Sequence, residues 1–162
     1  MTGWAATDLI CLPIGWVLVM LPSALKSRYI SALLKSKGEA WDHAAFNAAP
    51  RTATQALIDE GSEFSDAISR CAAAHQNGWE ALLLFGLGVM AARFGGVPDT
   101  GRAVASIVYS AARLVYNLVY CAPVAYGGGS PKAGTLRSTC WSVGTAASLY
   151  LMTHGWVRAA AL

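Results

Sequence analysis

The sequence predicts an all-α integral membrane protein, a bundle of four transmembrane helices in a single domain over residues 1–162. Composition is the first observation that predicts this fold. Of the 162 residues, 55% are hydrophobic and only 13% are charged, and the mean hydropathy is +0.42. That is more apolar surface than one small soluble core can bury. The second observation is the presence of four apolar segments, each close to the roughly 20 residues that a membrane-spanning helix needs.

The apolar segments are, in chain order, Leu9–Leu25, Trp79–Ala92, Ala103–Ala125 and Ser138–Val157. With their flanks they predict helices over residues 5–35, 65–93, 101–125 and 135–158. The polar connection over residues 36–64 is expected to cover the cytosolic mouth of the bundle. Glycine and alanine recur along the helices, which predicts close helix packing.

The distribution of lysine and arginine predicts how the bundle is oriented. The first and third connections carry most of these residues, namely Lys26, Arg28, Lys35, Lys37, Arg51, Lys132 and Arg137. By the positive-inside rule, both termini face away from the cytosol. Met1–Ala6 has no basic residue, so we expect no cleavable signal peptide. The net charge of +3 lies in the flanks of the helices, and it indicates no nucleic-acid role.

Polar residues precede the second apolar segment. Arg70, Asn77 and Glu80 are spaced seven and three residues apart, so they fall near one face of a helix. Arg113 stands alone in the middle of the third apolar segment. Because ionisable groups at membrane depth pair with one another, we expect an ion pair between Glu80 and Arg113.

A second polar stripe lies on the third helix. Arg113, Tyr116 and Tyr120 are related as i, i+3 and i+7, which places them on one continuous face. The two tyrosines have two interpretations, as ligand contacts or as part of an interfacial aromatic belt.

The pattern Ala74-His75-x-Asn77-x-x-Glu80 resembles the second-helix signature of the MAPEG family, the membrane-associated proteins of eicosanoid and glutathione metabolism. Phe85 also stands in register with that signature. Ala73 is a departure from it, since members usually have an arginine there that helps to hold the carboxylates of glutathione. The segment that begins at Trp41 resembles a loop seen in many members.

The resemblance implies a homotrimer in the endoplasmic reticulum membrane that binds glutathione between neighbouring subunits, near the cytosolic surface. It also implies a transferase or peroxidase with a lipophilic small-molecule substrate that enters from the lipid bilayer. The residues implied for glutathione binding are Arg70, His75, Asn77, Glu80, Arg113, Tyr116 and Tyr120.

Arg137 and Ser138 match the arginine, often followed by serine, at the cytosolic end of the family's fourth helix. They are the implied catalytic residues. A fixed guanidinium near sulfur lowers the pKa of the glutathione thiol, and a hydroxyl can donate a hydrogen bond to the thiolate. The alternative for Arg137 is an ordinary cytosolic flank arginine.

Other chemistry remains open for the same residues. His75 fits a packing or hydrogen-bonding role as well as a ligand contact. The cleft between subunits could instead serve a glutathione-independent isomerase or cyclase, or a non-catalytic protein that binds a lipid or a partner. We expect no metal site, because Asp42 and His43 lack further spaced ligands. The four cysteines form no C-x-x-C pair, and we expect buried free thiols.

Overall fold

The computed structural model describes residues 4–122 and 130–161, apart from the side chains of His43 and Ala45. All regular structure in these two ranges is helical, so the predicted all-α class is confirmed. The helices are α1 (Thr7–Lys37), α2 (His43–Ala48), α3 (Pro50–Asp59), α4 (Ser65–Phe94), α5 (Asp99–Tyr120) and α6 (Pro131–Ala159).

The four long helices α1, α4, α5 and α6 lie near the ranges predicted from the apolar segments. Among the described helices, α1 and α5 are the two that are long and apolar enough to cross a membrane. Helices α4 and α6 have 30 and 29 residues, which is sufficient length, but their polar residues make them less apolar. The third helix was expected to reach residue 125, whereas α5 ends at Tyr120, and residues 123–125 lie outside the described ranges.

The connection over residues 36–64 contains α2 and α3. Helix α3 begins with Pro50, whose fixed backbone angle suits the first position of a helix. Leu57 of α3 is buried against Ile30 and Leu33 of α1 and Ile68 of α4. The connection therefore contains a helix that packs against α1 and α4 through a small apolar core, and its role as a cytosolic cover stays a prediction.

Helices α4 and α5 are central in the bundle. Helix α1 packs along both of them from one side, and α6 packs along both from the other. The rings of Phe85 and Tyr109 stack between α4 and α5, with centroids 4.0 Å apart and an interplanar angle of 6°. Cys11 of α1 and Leu151 of α6 complete this core. All four cysteines are buried and free, as predicted.

Glycines allow α4 and α6 to approach closely. A Cβ atom at Gly88 would lie 2.7 Å from the carbonyl oxygen of Ser148, and one at Gly155 would collide with the backbone of Ala91. Close approach through small residues is typical of helices that pack within a membrane. The close packing predicted from the glycine and alanine content is therefore present between these two helices.

A network of charged residues joins the helices at the end where α1 begins. Asp8 is fully buried and accepts hydrogen bonds from Arg93 at 2.7 and 2.9 Å and from Arg102 at 2.9 Å. Arg102 also donates to Asp99 at 2.6 Å. These four residues, which we call the closed end, connect α1, α4 and α5. Each charge there has an opposite charge beside it.

Candidate functional site

At the opposite end of the bundle, cations lie against aromatic rings. The Arg137 guanidinium lies 4.6 Å from the ring centroid of Tyr120, and the Tyr120 and Tyr116 rings are 5.3 Å apart. The Arg113 guanidinium lies 4.5 Å from the Tyr116 centroid. We call these four side chains the cation–aromatic ladder. The three from α5 share one face, as their spacing predicts, and α6 supplies Arg137. Attraction between a cation and the face of a ring stabilises such contacts.

Asn77 connects α4 to this ladder. Its Nδ2 donates a hydrogen bond to the Tyr116 hydroxyl at 3.0 Å. Tyr116 is only 3% exposed, so the bond lies inside the bundle. Asn77 therefore fixes the position of a ring that was expected to contact ligand.

Two cavities flank Arg137. The first, about 340 Å³, is lined by Tyr116, Arg137, Ser138, Trp141 and Ser142. The second, about 250 Å³, is lined by Arg70, Tyr120 and Arg137, together with residues of the first turn of α6. A ligand that occupied both would contact two guanidinium groups and the Ser138 hydroxyl. We call this region the open end.

Only part of the positive charge at the open end is engaged by hydrogen bonds within the protein. Arg70 donates to the backbone oxygens of Tyr120 at 3.2 Å and Ala122 at 2.9 Å, which satisfies carbonyl groups at the C-terminus of α5. Within the described ranges Arg137 has no acidic partner. Its guanidinium therefore remains available to an anionic ligand.

His75 is held by contacts within the protein. Its Nδ1 lies 2.8 Å from the carbonyl oxygen of Val19, and its Nε2 lies 3.3 Å from the indole nitrogen of Trp79. A carbonyl only accepts and an indole N–H only donates, so these contacts assign the proton to Nδ1. Both ring nitrogens are thus engaged within the protein. His75 lines neither of the two cavities beside Arg137.

The predicted ion pair between Glu80 and Arg113 is wrong for the described residues. Arg113 is 3% exposed, and its Nη1 and Nη2 atoms have no hydrogen-bond partner among the residues that the structure describes. The α4 side chains beside it are the apolar Ala81 and Leu84. Glu80 is exposed on the surface of α4, so its carboxylate is not directed at Arg113.

Two residues of the open end, Trp141 and Ser142, were not predicted from the sequence. Trp141 and Ser142 line the first cavity because they follow Arg137 and Ser138 by one helical turn each. The i+4 spacing from Arg137 and Ser138 could have identified these two residues in the sequence. Asn117 of α5 was not among the predicted site residues, and it lines neither of these cavities. Its buried Nδ2 donates to the Leu18 carbonyl oxygen at 2.6 Å, which joins α5 to α1.

One of three comparisons with known proteins finds a match. A search of curated proteins finds no match, and a search of solved structures likewise finds none. The model of the MAPEG family matches residues 14–156. The matched range contains all the residues of the cation–aromatic ladder and both cavities, and it covers most of the chain. The chain therefore belongs to the MAPEG family.

Proposed function

We propose that this protein is a membrane-embedded glutathione transferase or peroxidase that acts on a lipophilic electrophile. The observation that carries the proposal is the position of Arg137. It lies where two cavities meet, beside the Ser138 hydroxyl and without an acidic partner in the described ranges. The MAPEG family is membrane-associated and includes glutathione transferases, so family membership supports the same chemistry.

The residues of the open end suit the groups that glutathione carries. Arg70 and Arg137 line one cavity together and match an anionic carboxylate. Asn77, through Tyr116, holds the aromatic wall in place. Arg137 favours the thiolate over the thiol by its charge, and Ser138 donates a hydrogen bond to the sulfur. The thiol proton passes to water. In the transferase reaction the thiolate then forms a bond to the electrophilic carbon, while the bond from that carbon to its leaving group breaks and the leaving group departs with the electron pair.

The proposal includes the architecture of the assembled protein. All four long helices span the membrane of the endoplasmic reticulum, both termini face away from the cytosol, and three copies bind glutathione between them. Large apolar side chains exposed on α4 and α6 support this placement. They include Leu83, Leu87 and Met90 on α4 and Trp156 and Val157 on α6. Contiguous apolar surface of this kind marks contact with lipid or another chain.

A second candidate function is glutathione-independent isomerisation or cyclisation of a lipophilic metabolite. The observation that favours it is Ala73, which replaces the usual family arginine. Arg70, one turn earlier, lines the cavity with Arg137, but two of its nitrogen atoms already bind carbonyl groups of α5, so fewer of its donors remain for a carboxylate. In this alternative Arg137, Tyr116, Tyr120 or Glu80 supplies the acid, the base or the oxyanion stabilisation.

Calorimetric titration of the detergent-solubilised protein with glutathione separates the two candidates. We expect binding at millimolar affinity or better, together with the ultraviolet absorbance of the bound thiolate. Arg137→Ala removes the thiolate absorbance, whereas Lys132→Ala, which neutralises an exposed cation on the same helix, retains it. Absence of binding up to about 10 mM glutathione would refute the transferase and leave the glutathione-independent reaction.

A further inference from the structure

A third cavity, of about 690 Å³, lies between α1, α3 and α4. It is separate from the open end, since it shares no lining residue with either cavity beside Arg137. Helix α3 forms one wall of it through Pro50, Arg51 and Thr54. Its opposite wall is the α4 surface around His75 and Trp79.

The lining of this α3 cavity carries unbalanced positive charge. Lys26 of α1 and Arg51 of α3 both line it, and no acidic residue does. Neither cation forms an ion pair within the described ranges. The side-chain amides of Gln55 and Gln76 add neutral donors. Two cations without a counterion at one cavity match a ligand that carries negative charge.

The same cavity has an apolar wall. Ile58 of α3 and Ala72 and Trp79 of α4 contribute to it. The indole N–H of Trp79 points to His75, so the indole presents mainly its apolar surface to the cavity. Lys26 directly follows the apolar segment of α1, where a spanning helix reaches the headgroup region of the bilayer. A ligand would therefore have its charged group beside the cations and an apolar chain running along Trp79 toward the lipid.

We propose that the α3 cavity binds an amphiphile with an anionic oxyanion head, the carboxylate of a fatty acid or the phosphate of a phospholipid, and an apolar chain. Lys26 and Arg51 hold the head between them. Trp79 contacts the chain. This site goes beyond the proposed glutathione chemistry and does not depend on it.

Native mass spectrometry of the full chain in a non-ionic detergent tests the proposal. The protein is titrated separately with oleate and with dioleoylphosphatidylglycerol. We expect saturable binding of one of these at least, and the tighter of the two identifies the head as carboxylate or phosphate. The double variant Lys26→Gln/Arg51→Gln binds about tenfold more weakly, because it loses two charge-assisted contacts.

The matched control is Arg28→Gln/Lys35→Gln, which removes two exposed cations of α1 that do not line the cavity. It leaves binding unchanged if the site is real. Equal weakening in the control would show diffuse surface attraction and overturn the proposal, as would absence of saturable binding to the wild type. Displacement of the amphiphile by glutathione alone would overturn it too, by assigning the cavity to the co-substrate. If the double variant does not fold, the same titration is made with the single variant Arg51→Gln, because Arg51 is exposed.

Discussion

The two ends of the bundle use arginine in opposite ways. At the closed end, Arg93 and Arg102 both bind the buried carboxylate of Asp8, and every charge is balanced inside the protein. At the open end, Arg137 lies on a tyrosine ring beside two cavities, and no carboxylate within the described ranges balances it. The difference indicates that one end holds the helices together, while the other has a cation without a carboxylate partner in the described ranges, as the proposed anion site requires.

The packing of α6 also differs between the two ends of the bundle. Near the closed end, α6 and α4 are in backbone contact at Gly155, with no room for a side chain. Near the open end, apart from the adjacent turn of the helix itself, no atom of the described residues lies within 4 Å of a Cβ added at Gly134 of the same helix. Among the described residues, α6 is thus tightly packed at its C-terminal end and loosely packed near its N-terminal end. The following four predictions test this contrast, from the largest expected effect to the smallest.

Asp8→Ala lowers the free energy of unfolding by about 3–5 kcal/mol, because it leaves Arg93 and Arg102 without their shared carboxylate. Thermal unfolding in detergent measures the change. The control is Glu60→Ala, which breaks the exposed ion pair with Lys37 and costs about 1 kcal/mol at most. Similar losses in the two variants would show that the closed end is not a special source of stability.

Arg137→Ala lowers kcat/KM for glutathione conjugation about 100-fold, as expected for loss of one fixed group that stabilises a developing anion. The free energy of unfolding changes by about 1 kcal/mol or less, since only the contact with the Tyr120 ring is lost. Lys132→Ala is the control, because it removes a positive charge from the same end of α6 and leaves Arg137 in place. A large loss of stability in Arg137→Ala would make the residue structural and would contradict the assignment.

Gly155→Ala lowers the free energy of unfolding by about 1–3 kcal/mol, because the new methyl group forces α6 away from the α4 backbone. Gly134→Ala is the matched substitution at the other end of α6. It raises stability by about 0.5–1 kcal/mol, since alanine favours the helix and meets no neighbour. Chemical denaturation of both variants measures the difference, and equal effects would refute the contrast in packing.

Tyr116→Phe lowers the free energy of unfolding by about 1 kcal/mol, because the Asn77 amide loses its acceptor inside the bundle. The ring and its contacts with Arg113 and Tyr120 are retained. Tyr150→Phe removes a hydroxyl from an exposed tyrosine and leaves stability nearly unchanged. If the two variants have equal stability, the Asn77 hydrogen bond does not position the ladder.

Features that depend on local periodicity could be predicted from the sequence. The stripe formed by Arg113, Tyr116 and Tyr120 follows from helical spacing alone, and the contacts between these side chains agree with it. The four long helices follow from the lengths of the apolar segments. The site residues near Arg137 were predicted from the family pattern, which is likewise a pattern of residues along the chain.

Contacts between helices could not be predicted in the same way. The expected pair of Glu80 and Arg113 required a particular rotation of α4, and the helix presents Ala81 and Leu84 there instead. The sequence also did not predict that two nitrogen atoms of Arg70 would bind the end of α5, and the contact of Arg70 with a ligand stays a prediction. Both outcomes depend on how far each helix is rotated and shifted relative to its neighbours.

By itself, the sequence determined the helical class and the family, and it singled out Arg137, because each is a pattern along one chain segment. Only the tertiary structure decided that Asp8 would bind arginines of two other helices, and that α3 and Lys26 would line the same cavity. Such partners are more than twenty residues apart in sequence. Their meeting is set by the packing of whole helices, which local periodicity does not encode.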